Sequence, residues 1–435
     1  MTTETHQEAS ASPSALKALV LALILGFVAA FAASVYSGLF EHGQELLYLQ
    51  IPHHYGWSGV PTWWAAVVLC AGAAIVALAR RLPGATGDGP LTGFHFTSPV
   101  AFAGSALIAA FATLACGFAL GPEAPLIILG SAVGGILMHK REPDVVKLGM
   151  FLGGIAAIGS VFGNPLISGF MVLEFVAMGM APAVLIMPAF VALASGYLVE
   201  VGVLGWSGLG THSLSVPGIA PYPSIRPGDL LWGVLVSIVA AAVAVVARRG
   251  GLRVDIASRR SPVIVLFVAA AVTAGALLVA EQGFGLPADQ VLFNGSSGMG
   301  HLLAQTSIVA VVATLVCKLI AYSVALGGGY RGGAIFPATF LGVAVGVLAS
   351  LTVGASVTAM AAAGIAGTAS AMTKLPATSA LLAALLLVGS TGTVAPFAIF
   401  GAVIGIIIRL AVDRRFPEPT FPAQPLMTEA SALPT

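Results

Sequence analysis

Residues 125–134 read PLIILGSAVG and residues 337–346 read PATFLGVAVG, six identities in ten positions at an offset of 212. A second match keeps nearly the same spacing: GIAAIGS at 154–160 lines up with GIAGTAS at 364–370, and Pro165 and Ser168 correspond to Pro376 and Ser379 at an offset of 211. Chance supplies a single Ala/Gly match but not an ordered series, so the chain carries an internal duplication. The halves are predicted at 15–205 and 228–411, joined by a loop at 206–227 and flanked by polar tails at 1–14 and 412–435. A duplicated unit whose apolar segments are broken by Gly and Pro points to a transport site where the halves meet, near the middle of a membrane.

The composition fixes the solvent. Of 435 residues, 58% are hydrophobic and 8% charged, whereas a water-facing surface needs roughly a quarter of its residues charged. An all-α integral membrane protein is the expectation. The 18 Lys and Arg against 17 Asp and Glu leave a net charge of +1 and no basic block, which excludes nucleic acid as a partner. Cys70, Cys116 and Cys317 lie in apolar runs without C-x-x-C spacing, so neither a metal nor a cofactor is expected. Apolar segments fall near 15–40, 62–79, 98–120, 122–138, 147–178, 181–205, 228–247, 262–280, 305–326, 334–352, 356–373 and 377–411. Several are awkward lengths for a simple span, and irregular backbone in hydrocarbon is tolerated only where protein or a water-filled cavity covers it.

Charge gives the orientation. Lys17, the Arg80-Arg81 pair, the arginines from Arg248 to Arg260, and Arg409, Arg414 and Arg415 are all placed in the cytoplasm by the positive-inside rule, and both tails with them. Lys140, Arg141 and Lys147 sit between broken segments and are not assigned. The tail at 1–14 lacks a basic leader region and is expected to be retained.

Two stretches carry chemistry. In Gly121-Pro-Glu-Ala-Pro125, Pro122 stops any helix from upstream and Pro125 suits the first turn of the next one. Glu123 therefore stands at a helix N-terminus, whose free N–H groups and partial positive charge bind anions or a carboxylate equally well. The plain alternative is a capping carboxylate with no traffic past it, but an ionisable group at this depth is costly and usually functional. The second half answers with five glycines in the seven positions 327–333, before a helix opening at Pro337. Ala334, Ile335 and Phe336 then offer main-chain N–H groups, and a phosphate-cradling loop is disfavoured because the Lys-Ser/Thr of a P-loop is missing.

These residues resemble the chloride channel (CLC) family of anion channels and anion/proton antiporters, in a short form without a cytoplasmic regulatory domain. Gly121 to Pro125 is similar to its G-[KR]-E-G-P motif, Gly333 to Pro337 to its G-x-F-x-P motif, and Phe162 to Glu174 to its N-[AT]-P…G-x-L-F-x-x-E segment; Lys318 before the Gly-rich loop fits as well. The resemblance implies a homodimer with a pore in each subunit, built from two inverted repeats of tilted, often non-spanning helices in a bacterial plasma membrane. It makes Glu123 the gate, with Gly121, Glu123, Ala124, Ala334, Ile335 and Phe336 as candidate anion-binding positions.

Departures from the pattern bear on mechanism. Pro122 replaces the basic residue beside the gate. The Ser-bearing loop G-S-G-I-P is represented by Gly87-Asp88-Gly89-Pro90, so either Asp88 lines the inner anion site or it points away and Thr92 or a main-chain N–H contributes. Glu174 matches the first residue of the antiporters' Glu-Glu pair, and Phe175 stands in the second place, where it cannot carry a proton. Glu174 is a candidate for the proton pathway, although a structural carboxylate is the commoner role in such a segment. The central tyrosine belongs to a last helix that this chain is expected to lack. The lead expectation is chloride transport gated by protonation of Glu123, channel-like, with chloride/proton or fluoride/proton antiport as the alternative. An intramembrane hydrolase is the remote one: Ser160, Ser168 and Ser379 are present, but no His lies in a matching apolar run and no G-x-S-x-G or H-E-x-x-H occurs. Arg331 is expected either to attract anions or to pair with a carboxylate. Lys318 is expected to satisfy helix carbonyls or face the vestibule, and His53-His54 to belong to an interfacial aromatic cluster with Tyr55, Trp57, Trp63 and Trp64.

Overall fold

The computed structural model describes residues 13–57, 59–97, 99–204, 216, 218–387 and 389–418. Residues 1–12 and 419–435 of the expected tails, and 205–215 and 217 of the loop, lie outside the described residues. The longer helices form two sets of seven. The first set is α1 (Pro13–Glu45, carried on by a π-helical turn to His54), α2 (Thr62–Ala79), α3 (Val100–Ala115), α4 (Glu123–Met138), α5 (Pro143–Val161), α6 (Pro165–Ala177) and α7 (Ile186–Leu198). The second is α8 (Pro227–Arg260), α9 (Pro262–Phe284), α10 (Ile308–Gly327), α11 (Ile335–Val353), α12 (Val357–Thr373), α13 (Pro376–Leu386) and α14 (Thr391–Arg415). The two halves repeat the same order of seven helices, and the protein is an all-helical membrane protein of two inverted repeats. Nine described helices are long and apolar enough to cross a membrane, while α3, α4, α6, α12 and α13 are shorter.

The segments expected at 147–178 and 377–411 are each two helices. In the first, Gly163 takes φ +66°, the Asn164 side chain accepts from the Leu166 amide at 2.9 Å, and Pro165 opens α6. These are a left-handed exit, an N-cap and a proline at N1, which together end one helix and start another. The equivalent break in the second half uses Lys374 at φ +63° and Pro376, and the segment breaks again before α14. The 98–120 segment also ends early, at Ala115, because Gly117 takes φ +90°.

The core lies around α5 and α12. Every residue from Leu148 to Val161 is buried, as is every residue from Thr358 to Met372. Both helices are rich in Gly and Ala, since a helix enclosed on all sides in lipid packs through close backbone approach. A Cβ on Gly130 would collide with the Gly153 carbonyl, and one on Gly342 with the Gly364 carbonyl. Helices α4 and α5 therefore cross backbone to backbone, and α11 and α12 repeat that crossing at the offset of the duplication. Large apolar side chains such as Phe27, Phe31, Val263 and Phe267 are exposed on α1 and α9, where hydrocarbon is their solvent.

Four basic groups share one ion-pair network with Asp413 and Glu418. Arg248 pairs with Glu418 at 2.8 Å, Arg249 with Asp413 at 3.1 Å, and Arg409 with both carboxylates. Lys374 joins Asp413 at 2.8 Å, while Arg80 Nη1 lies beside Gly329. The helix crossings give a direct test. Gly342→Val is expected to cost about 1–3 kcal/mol through overpacking, read as a lowered thermal midpoint of the detergent-solubilised protein. Gly275→Ala on α9, where a Cβ meets nothing within 4 Å, should leave that midpoint unchanged or slightly raised.

Candidate functional site

Gly121 and Gly333, equivalent positions of the repeat, form an antiparallel bridge: the Gly121 amide donates to the Gly333 carbonyl at 2.8 Å and the Gly333 amide to the Gly121 carbonyl at 2.5 Å. Reciprocal pairing of this kind is two-fold symmetric, so the axis relating the halves passes between these two residues. Helices α4 and α11 begin just beyond it, and their N-termini meet there.

Glu123 joins them. It is wholly buried, and its side chain leaves the first turn of α4 to lie on the first turn of α11, where Oε1 accepts from the Phe336 amide at 2.8 Å. The amides of Ile335 and of Glu123 itself also face the carboxylate, while Oε2 is buried without a partner. A Cβ on Gly121 or Gly333 would overlap this carboxylate, so glycine on both sides makes its room. The Tyr322 hydroxyl donates to the Ala334 carbonyl at 2.6 Å and the Thr339 hydroxyl to the Phe336 carbonyl at 2.6 Å, fixing the turn that receives the carboxylate. A negative group on unpaired N–H donors at a helix N-terminus stands where such a terminus holds a small anion.

One expected donor is corrected. The Gly121 amide is spent on the Gly333 carbonyl and has nothing left to offer an anion; it is a fastening on the axis. Ala124 lines a cavity of about 510 Å³ together with Ile127, Ile128, Asp88, Arg80 and Arg331. Asp88 is half-exposed on that wall, with Oδ2 3.7 Å from His95 Nδ1, and the Thr92 hydroxyl is occupied by the Gly89 carbonyl at 2.7 Å. Arg331 bonds four main-chain carbonyls and forms no ion pair among the described residues.

Glu174 has a structural place. Its carboxylate accepts from the Ala377 amide at 2.7 Å, the Thr378 amide at 2.8 Å and the Thr378 hydroxyl. A residue on α6 thus caps the N-terminus of α13, its counterpart in the other half. Phe175 is buried against Phe96 and Phe94, with ring centroids 5.8 and 6.1 Å away. Lys318 satisfies the carbonyls of Leu292 and Phe293 at 2.6 and 2.9 Å. Tyr322 escaped sequence reasoning, although it stands one helical turn after Lys318 and so shares its buried face. Ser160 and Ser379 donate to carbonyls of their own helix turns, and no His bonds either of them or Ser168 among the described residues. Tyr55, Trp57, Trp63 and Trp64 stack into one cluster, as an interfacial belt does.

Fold and site together define a multi-pass helical membrane protein whose inverted halves bring two helix N-termini to one buried carboxylate. Residues 91–387 match the family described as "Voltage gated chloride channel", and the chain belongs to that family. Among its relatives, the "Putative ion-transport protein YfeO" of Escherichia coli (strain SMS-3-5 / SECEC) is 29% identical over 320 residues, covering 70% of this chain and 72% of that protein. The protein of the same name from Shigella boydii serotype 4 is 29% identical over 321 residues, again 70% and 72% of the two chains. Solved structures share the fold: a slow cyanobacterial Cl-/H+ antiporter superposes with a TM-score of 0.73 at 15% identity, covering 94% of this chain and 96% of that one. A CLC-type fluoride/proton antiporter superposes at 0.65 and 17% identity, covering 92% and 96%.

Removing the Glu174 cap should separate structure from traffic. Glu174→Ala is expected to cost about 1–2 kcal/mol of stability, seen as a lower thermal midpoint, while the pH dependence of ion flux stays as in the unmodified protein.

Proposed function

We propose that the protein carries chloride across the membrane through a pore in each subunit of a homodimer, with Glu123 as the gate. The observation that carries this reading is the Glu123 carboxylate on the Phe336 amide: a charged oxygen holds the place of the anion, and protonation, by removing the charge, gives that place up. Family membership and the ion-transport description of the relatives support it. We favour passive, channel-like flow because Phe175, buried among other phenylalanines, offers no group to pass a proton inward. Proton-coupled exchange of chloride or fluoride is the second reading, supported by the descriptions of the two antiporters that share the fold. The protein works as a transporter without cofactor or enzymatic step, in a bacterial inner membrane with both termini in the cytoplasm.

The test is chloride efflux from proteoliposomes with external pH recorded. Acid protonates Glu123 and releases α11, so flux through the unmodified protein should rise as pH falls. Glu123→Gln mimics the protonated side chain, so its flux should be high and flat across the same range. Unchanged pH dependence in that variant would refute the gate. Efflux with stoichiometric proton uptake would decide for exchange over passive flow.

A further inference from the structure

The hydroxyl of Tyr322 does more than satisfy itself. Tyr322 lies on α10 and is wholly buried, and its hydroxyl donates to the Ala334 carbonyl at 2.6 Å. That carbonyl is one end of the peptide unit whose other end is the Ile335 N–H, and because a peptide is planar and trans the two point in opposite directions. With the carbonyl turned to Tyr322, the N–H is turned to the Glu123 carboxylate, which the Ile335 amide faces. Ala334 is the residue before α11, at φ −103° and ψ −9°, and it has no side-chain hydrogen bond to cap the helix. This is the sparsely allowed bridge region, and a rotation about ψ there would swing the peptide plane. The tyrosine on the neighbouring helix supplies the fastening that Ala334 lacks. A hydrogen bond to the carbonyl also polarises the peptide and strengthens its N–H as a donor.

Two comparisons within the molecule single this hydroxyl out. The Thr339 hydroxyl donates to the Phe336 carbonyl, also at 2.6 Å, but the peptide unit that it holds ends at Pro337, which has no N–H to aim. In the first half the position equivalent to Tyr322, at the offset of 212, is Ala110. The carbonyl equivalent to that of Ala334 belongs there to Pro122 and accepts from the Leu126 amide at 3.0 Å, an ordinary first-turn bond. The two helix starts are therefore built differently: one supplies the carboxylate, and the other is a turn braced from outside to receive it. Lys318, one turn earlier on α10, is held by the Leu292 and Phe293 carbonyls and lies 5.0 Å from the centroid of the Phe340 ring. Helix α10 thus meets α11 at two successive turns, which keeps the tyrosine in place.

We infer that Tyr322 is a positioning residue of the anion site: it aims the Ile335 N–H, and so sets how tightly an anion binds once Glu123 has given up its place. It acts through the peptide and not by touching the anion. The inference rests on the anion-transport reading above.

Chloride binding to the detergent-solubilised full-length protein, measured by calorimetry, tests it. Glu123→Ala removes the occupant of the site, and chloride should bind to that variant. Adding Tyr322→Phe, which keeps the ring, should raise the dissociation constant about fivefold, the net worth of a typical hydrogen bond. Tyr330→Phe, which loses a bond of the same length to the Leu266 carbonyl, should lower the thermal midpoint by a similar amount and leave the constant where it was. An unchanged constant after Tyr322→Phe, or an equal rise after both, would overturn the inference. If Glu123→Ala bound no chloride at all, the anion reading would fall, and a crystal structure of the Tyr322→Phe protein would decide what remains. An Ile335 N–H turned away from Glu123 would support the positioning role, and an unmoved peptide would refute it.

Discussion

A helix that starts inside a membrane leaves N–H groups that neither water nor its own backbone can satisfy. This protein starts two such helices at one point, and each half meets the other's need. The Gly121–Gly333 pair brings the halves together on their axis, and Glu123 of the first half covers the amide of Phe336 in the second. The close crossings at Gly130 and Gly342, the enclosed helices α5 and α12, and the short helices that stop in mid-membrane all serve to hold that point in position. Because the partner of the open N-terminus is an ionisable side chain and not a fixed dipole, the contact that completes the fold is also the one on which the proposed gating rests.

Much of this was legible in the sequence. The offset of 212 between the repeats is the separation of the two glycines that pair in space, so the duplication itself marked the axis. Proline at 122 and 125 put Glu123 on a helix start, and the Asn164-Pro165 pair marks the break that divides residues 147–178 in two. What the sequence left open shares a cause. Which amide remains free depends on what lies opposite it, and nothing near Gly121 in sequence says that its N–H is used by a residue from the other half. Glu174 read as a candidate for the proton pathway with a structural carboxylate as the commoner role, and the partners that give it the structural place, Ala377 and Thr378, lie far along the chain. Arg331 read as either an anion lure or a carboxylate partner, because the four carbonyls that surround it are main-chain atoms, and no residue type advertises those.

The departures from the family pattern fall on one side of the site. The helix-end loops and Glu123 are kept, whereas the loop at 87–90 and the position of Phe175 differ. Asp88 stands where the pattern has a serine, and Phe175 where it has a carboxylate. Beside them lie an arginine tied to main-chain oxygens and a cluster of aromatic rings.

The span of the Glu123 contact has a consequence for how the protein is made. Glu123 and Phe336 are 213 residues apart, so the first half is made with a buried carboxyl group that lacks the Phe336 amide until the second half follows. An isolated first half would keep that group unanswered, and an isolated second half would keep an unfilled helix end. Neither copy of the ancestral unit, as it now stands, is a finished object. The duplication has been locked in, because each copy has come to hold the missing piece of the other.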